Sequence, residues 1–359
     1  MEKETLLATH PALADLWEKT EGLSAAAYTR SLAQLGPGIA RNPDFLALVT
    51  EAAIGSKWVG EFSNIRWLQT APHIGFTLND RMLTIIWLSH LGTPGDGPLF
   101  IGGCSGVPMS IYTKPGSIMY EGQETNLAPS RYQNALVAHA PSTMIDLNRI
   151  KDSQVRASLE ACHQPRLDSW MNALLSEQLS AWLGRPVVFF SLNEWARVAI
   201  SVWPPDDKRL LHQFLSSGIN RSLFLSPRRS GKYAKFDTWK SDGTMLLASS
   251  GRRLGITEAL GEAKAGSLHP TSWLMYALFA YVSGLPVAGS FSFAGYYPGY
   301  QTDWHTIARI PAPPHQCIVT TGTHPTLKGK SSWDIWLGKH SGDELDDRIS
   351  MHELLRTIV

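Results

Sequence analysis

"LFIGGCSGVPMS", residues 99–110, is an apolar run that breaks at Gly102-Gly103-Cys104-Ser105-Gly106, and its reading decides the fold. A short apolar run closed by glycines reads as a buried strand entering a loop. The five residues also fit the glycine-x-nucleophile-x-glycine elbow of sheet hydrolases, with Cys104 in the nucleophile's place. That elbow needs a helix directly behind it, aimed at the developing oxyanion. Pro108 and Pro115 leave space for roughly two helical turns at most, so the required helix is missing. Two other readings compete with a Cys104-dependent hydrolase or transferase. The backbone of Gly102, Gly103, Cys104 and Ser105 can approach a phosphate or carboxylate, or the segment is a plain strand-to-loop turn.

Upstream, "QTAPHIGFTLNDR" (69–81) leads into "MLTIIWLSHL" (82–91), which is apolar on every side and therefore reads as a buried helix. Thr77-Leu78-Asn79-Asp80 resembles a capping box, hydroxyl first and carboxylate three residues later. His73 and Thr77 thus stand before a helix start, where free N–H groups favour an anion. If the strand at 98 follows this helix back into the sheet, His73 and the 102–106 turn share one crevice. The competing reading of His73 is a partly buried imidazole bonded to a nearby carbonyl.

Working outward, apolar runs at 98–103, 134–139, 186–191, 222–225, 285–293 and 316–321 alternate with helical patterns near 149–163, 165–183, 206–217, 254–265 and 270–283. Alternation of this kind predicts an α/β fold with a largely parallel sheet. Before it, His10-Pro11, Ser24 and Asn42-Pro43 open three helices. The expected organisation is a helical N-terminal section, 1–97, packed on an α/β core, 98–359. The helix pair 149–183 is the candidate for a projecting arm or subdomain.

With 359 residues, 43% hydrophobic, and 32 basic against 31 acidic side chains, the chain can bury a large core and carries no global field. Nucleic acid and membrane are not expected partners. Three cysteines far apart, Cys104, Cys162 and Cys317, argue against a disulfide framework and for the cytoplasm. "MEKETLLATHPALADLWEK" lacks the apolar centre of a signal peptide, and the longest apolar helices fall short of the roughly 20 residues of a bilayer crossing.

Two further stretches carry candidate chemistry. "SPRRSGKYAKF" (226–236) gathers Arg228, Arg229, Lys232 and Lys235 around Gly231, as a mobile loop closing over an anion would, or as a solvated loop would. In "HPTSWLMYALFAYVSGLPVAGSFSFAGYYPGYQTDWH" (269–305), Tyr296, Tyr297, Tyr300, Asp303 and His305 follow an apparent strand, where α/β ligands bind. Asp303-x-His305 is a spacing that orients an imidazole. No His-Glu-x-x-His, Cys-x-x-Cys, Walker loop or full dinucleotide glycine pattern occurs, so no metal site is assigned and the cofactor is left unknown.

"QTAPHIGFTLNDRMLTIIWLSHLG" with "GPLFIGGCSGVP", and "LHPTSWLMYALFAYVSGLPVAGSFSFAGYY" in the second half, resemble the bacillithiol-synthase family, the cysteine-adding enzymes. The likeness covers about a fifth of the chain. Thr70-Ala71-Pro72-His73 stands where that family has Thr-Gly-(His/Gln)-Gln, and Ala288-Gly289 replaces its double glycine. The resemblance implies a Rossmann-like core and addition of a small amine or thiol to an activated carbon, with His73 and Tyr296 at matching motif positions. The expected function is group transfer or condensation on a small anionic metabolite. His73 would move a proton, the 102–106 turn and the Thr77 helix start would hold the anion, and Arg228, Arg229 and Lys232 would neutralise charge. A non-catalytic ligand-binding or interaction protein is the alternative, and a homodimer is left open.

Overall fold

The computed structural model describes residues 2–33, 42–70, 72–109, 111, 113–203, 208–230, 233–309, 322–338 and 340–358. The N-terminal helices are α1 (Lys3–Thr9), α2 (Ala14–Lys19), α3 (Ala25–Ala33), α4 (Pro43–Ala53) and α5 (Val59–Ser63). The Asn42 side chain accepts from the Phe45 N–H, and Pro43 sits in the first turn of α4, where its missing donor has no consequence. A two-residue strand β1 (Leu68–Gln69) leads to α6 (Asp80–Gly92) and back to β2 (Leu99–Gly103). A hairpin, β3 (Ser117–Tyr120) and β4 (Gln123–Asn126), and then α7 (Ser153–Ala161) and α8 (Leu167–Leu183) separate β2 from β5 (Val187–Ser191).

Beyond β5 come α9 (Leu192–Val202) and α10 (Lys208–Leu215), and then the strands β6 (Ser222–Ser230), β7 (Tyr233–Ser241), β8 (Met245–Ala248) and β9 (Arg253–Gly255). The chain continues through α11 (Ile256–Lys264), β10 (His269–Pro270), α12 (Ser272–Val282), β11 (Val287–Ala288), α13 (Phe291–Ala308), α14 (Ser332–Leu337) and α15 (Met351–Arg356).

Among the described residues the fold is α/β, built on a parallel sheet of order β11-β1-β2-β5. Every residue of β2 and β5 is buried, as parallel strands covered on both faces require. Leu99, Ile101, Val187 and Phe189 enter one core, with α6 and α8. Phe100, Val188 and Phe190 enter the other, with α4, α9 and α12. The alternation follows from the two-residue period of a strand. The chain lays down β1, β2 and β5 in one direction, then returns to put β11 on the other side of β1, so strand order reverses between β1 and β11.

A second sheet, β10-β6-β7-β8-β9, is antiparallel throughout. The expectation of one largely parallel sheet is therefore corrected, because the 222–225 run opens an antiparallel hairpin. The 134–139 run forms 3-10 turns, and of 285–293 only Val287–Ala288 is strand. The run 316–321, with Cys317, lies outside the described residues. The boundary at 97 cuts through the β1-α6-β2 unit, since β1 belongs to the sheet. The 149–183 pair does not project: α8 lies on β5 and α14, with Trp170, Met171, Leu174, Leu175 and Leu179 almost fully buried. No described helix is long and apolar enough to cross a membrane.

Candidate functional site

The carboxyl edge of the parallel sheet gathers the groups that sequence reasoning singled out near its start. Beyond β1, Thr70 bonds through both its N–H and its hydroxyl to the Ala288 carbonyl, at 2.8 Å each. The segment then runs beside the end of β2. Cys104 N–H donates to Pro72 O, Ile74 N–H donates to Cys104 O, both at 3.0 Å, and His73 pairs with Cys104 in a parallel bridge. His73 and the glycine turn are thus neighbours.

The turn itself is closed by the fold. Asn193 Oδ1 accepts from both Ser105 N–H and Gly106 N–H at 2.8 Å, while its Nδ2 donates to Pro270 O at 2.7 Å. Ser105 and Ser191 share a hydroxyl contact of 2.6 Å. Gly102 and Gly103 pair with Phe190 and Ser191 of β5. The glycines answer to packing: a Cβ would stand 2.6 Å from Leu192 at position 102, 2.5 Å from Phe189 at 103 and 2.4 Å from Asn193 at 106. The expectation that this turn holds an anion is corrected accordingly, because the N–H groups of Cys104, Ser105 and Gly106 already donate within the protein.

Burial pushes the Cys104 thiol up to about 12, against a contact with Tyr276 that works the other way. At neutral pH it is a thiol, and the thiolate is the nucleophile. The Tyr276 hydroxyl donates to Thr70 Oγ1 at 3.1 Å, which ties α12 to the end of β1. Thr77 is not the cap of α6. Its hydroxyl accepts from Met119 N–H of β3 at 3.0 Å, and Asn79 caps the helix through Met82 N–H at 3.0 Å.

His73 opens on a cavity of about 320 Å³ whose walls include Thr77, Asn79, Asp80, Lys114 and Lys330. Burial lowers the His73 imidazole to about 4, so it is neutral at pH 7 and able to take a proton. Lys114 sits at φ 45°, a left-handed conformation uncommon for a side chain of its size, and pairs with Glu124 at 2.5 Å. Asp80 Oδ2 accepts from Gly329 N–H at 2.8 Å, and Lys330 lies 3.5 Å from His340 Nε2. The cavity combines lysine, carboxylate and hydroxyl groups with an imidazole on the edge where parallel α/β sheets bind ligands.

The remaining expected residues lie elsewhere. The described residues of the 226–236 stretch, 226–230 and 233–236, lie in the paired strands β6 and β7, where the sequence suggested a loop. Arg228 stands on β6 opposite Lys235 and 3.5 Å from Asp237, and it lines a different cavity. Arg229 pairs with Ala234 through the backbone of β6, and Lys232 lies outside the described residues. Tyr296 is within α13, the helix that follows β11, 37% exposed and packed against Phe293 and Tyr300. Asp303 binds Arg221 at 2.8 Å and Trp273 Nε1 at 3.2 Å, so it serves those partners and does not orient His305.

Sequence reasoning missed a second titratable cluster beyond the ends of β2 and β5. His139 and His269 meet edge to face at 5.7 Å, with Arg166–Asp168 at 2.7 Å and Arg197–Glu194 at 2.6 Å around them. Burial, then His139 and Arg166, lower His269 to about 4. Its one sequence signal is a histidine directly before the proline that leads into the buried helix α12. Among the described residues no group of three or more His, Cys, Asp or Glu is placed to hold a metal ion. No protein-family model matches the chain, and neither a curated protein nor a solved structure gives a significant match.

Proposed function

We propose that this chain is a small-molecule enzyme, Rossmann-like in its parallel sheet, that performs group transfer or condensation on a small anionic substrate, with His73 as the proton-moving residue. The observation that carries the reading is the His73–Cys104 bridge, which sets a neutral imidazole at a cavity holding Lys114 and Lys330. The reversal of strand order between β1 and β11 supports it, because crevices at such reversals are where open α/β sheets take ligands.

The resemblance to the bacillithiol-synthase family supports the reaction class. Adding an amine or thiol to an activated carbon requires a base that removes the nucleophile's proton as the new bond forms, and His73 is the candidate for that step. The anion-holding role assigned by sequence to the glycine turn, and the charge neutralisation assigned to Arg228, Arg229 and Lys232, pass to Lys330 and to Lys114, the latter shared with Glu124. A Cys104 nucleophile is disfavoured by the upward shift of its thiol. The unpaired Cys104 and Cys162 fit a reducing compartment, and we place the enzyme in the cytoplasm.

The test begins with thermal-shift measurements against small carboxylates and phosphates, followed by turnover assays on the compounds that stabilise the protein. His73→Gln is expected to lower kcat by about 10²–10⁴-fold while the hit still stabilises the variant. In the wild type the acid limb of the rate profile should fall near pH 4, well below that of an ordinary histidine. Full turnover in His73→Gln would overturn the assignment of the base. Stabilisation without turnover for every hit would favour a binding protein.

A further inference from the structure

A second cavity of about 380 Å³ lies between the 132–144 turns and the β6–β7 hairpin. Arg228 and Lys235 both line it and stand directly opposite one another across the hairpin. Like charges in that position destabilise a strand pair, so their juxtaposition calls for a partner of opposite sign. Asp237, buried on the same face, supplies part of it. It lies 3.5 Å from Arg228 and also accepts from Ser249 and Ser250. The other cations near the His139–His269 pair are matched: Arg166 bonds Asp168, and Arg197 bonds Glu194. Lys235 forms no ion pair with any described residue.

The rest of the wall has a different character. Tyr132, Leu136, Pro141 and Met144 give it an apolar side, and His139 stands at its edge. Behind His139, the 6% exposed His269 has no described hydrogen-bond partner at Nε2. We propose that this cavity binds an amphipathic organic anion, its oxyanion held by Lys235 and Arg228 and its apolar body laid against Tyr132 and Met144. The site is separate from the His73 cavity and does not depend on the function proposed for it. A phosphomonoester and a carboxylate offer the same chemistry here: acceptor oxygens with negative charge on an apolar frame.

Isothermal titration calorimetry of the full chain at low and at physiological salt tests this with phenyl phosphate, benzoate, inorganic phosphate and benzyl alcohol. The expected result is that phenyl phosphate or benzoate binds at least about tenfold more tightly than benzyl alcohol, and that added salt weakens it. Phenyl phosphate ahead of benzoate would identify a phosphomonoester site, and the reverse order a carboxylate site. Lys235→Glu, at an exposed position, should weaken the preferred anion at least about tenfold without altering the melting temperature. Lys330→Glu, which reverses a charge in the His73 cavity, should leave its affinity unchanged. Equal binding of benzyl alcohol, inorganic phosphate as tight as phenyl phosphate, full affinity in Lys235→Glu, or no binding of any probe would overturn the proposal. Loss of binding in Lys330→Glu would assign the anion to the other cavity and overturn it too.

Discussion

The two sheets of this protein use their strands in opposite ways. In the parallel sheet, β2 and β5 are buried at every position and carry no charge, and the turn that leaves β2 has its donors taken up by Asn193 and Pro72. In the antiparallel sheet, the β6–β7 pair buries Phe224 and Trp239 and, further along the same face towards the hairpin's turn, carries Asp237, Arg228 and Lys235, while Lys240 is exposed on the opposite face. A strand covered on both faces along its whole length has only packing to express, whereas a strand whose cover ends part-way along it can place ionic groups. Chemistry along the parallel sheet therefore passes to the segments beyond its carboxyl ends, where His73 and Lys114 sit. In the antiparallel sheet it stays on the strands.

The contrast can be broken most severely at Asn193, the joint between the sheets. Asn193→Ala removes the acceptor of two N–H groups and the donor to Pro270 O from a residue 4% exposed. Each orphaned group costs about 1–3 kcal/mol, so a loss of about 3 kcal/mol or more is expected from the shift in urea midpoint. Gly103→Ala comes next. A Cβ placed 2.5 Å from the Phe189 ring and 2.6 Å from Ile74 overpacks the core, at about 1–3 kcal/mol by the same measurement. On the open side of the antiparallel sheet, Lys240→Ala should cost less than about 0.5 kcal/mol, although Lys240 bonds Asn220 at 2.8 Å. A Lys240 effect as large as that of Gly103 would remove the distinction between the sheets.

What could be read in the sequence follows the same division. The all-apolar β2, β5 and α6 are legible because a segment buried on every side has no polar period to confuse it. The neighbourhood of His73 and Cys104 is legible because a strand-helix-strand unit returns both strand ends to one edge. The run 285–293 is not, since a buried strand and the first turn of a buried helix look alike, and here Phe291 begins α13. Two site expectations fail for a reason no local pattern contains. Thr77 gives up the cap of α6 because Met119, 42 residues on, takes its hydroxyl. The glycine turn gives up its donors to Asn193, 88 residues beyond Ser105. The antiparallel sheet is hidden for the same cause, since β10 completes it by pairing with β6 across the whole of β7, β8, β9 and α11.

An effect that vanishes at neutral pH sharpens the comparison, because each region holds a histidine that burial strongly favours in its neutral form. His73, beside the parallel sheet, and His269, in β10 of the antiparallel sheet, are both lowered to about 4 from an ordinary 6.5. Between those values the unfolded chain binds protons that the folded protein does not, so stability must rise with pH across the window and fall as the solution is acidified towards 4. His73→Gln and His269→Gln should each flatten the slope of unfolding free energy against pH by up to about one proton in that window. At pH 7.5, where both imidazoles are neutral folded and unfolded, this linkage vanishes and any remaining change reports packing alone. Because the two rings sit in separate surroundings, the double variant should lose the sum of the two slopes. A sub-additive loss would mean that the two edges titrate as one coupled cluster, and the division of the molecule into two independent regions would fail.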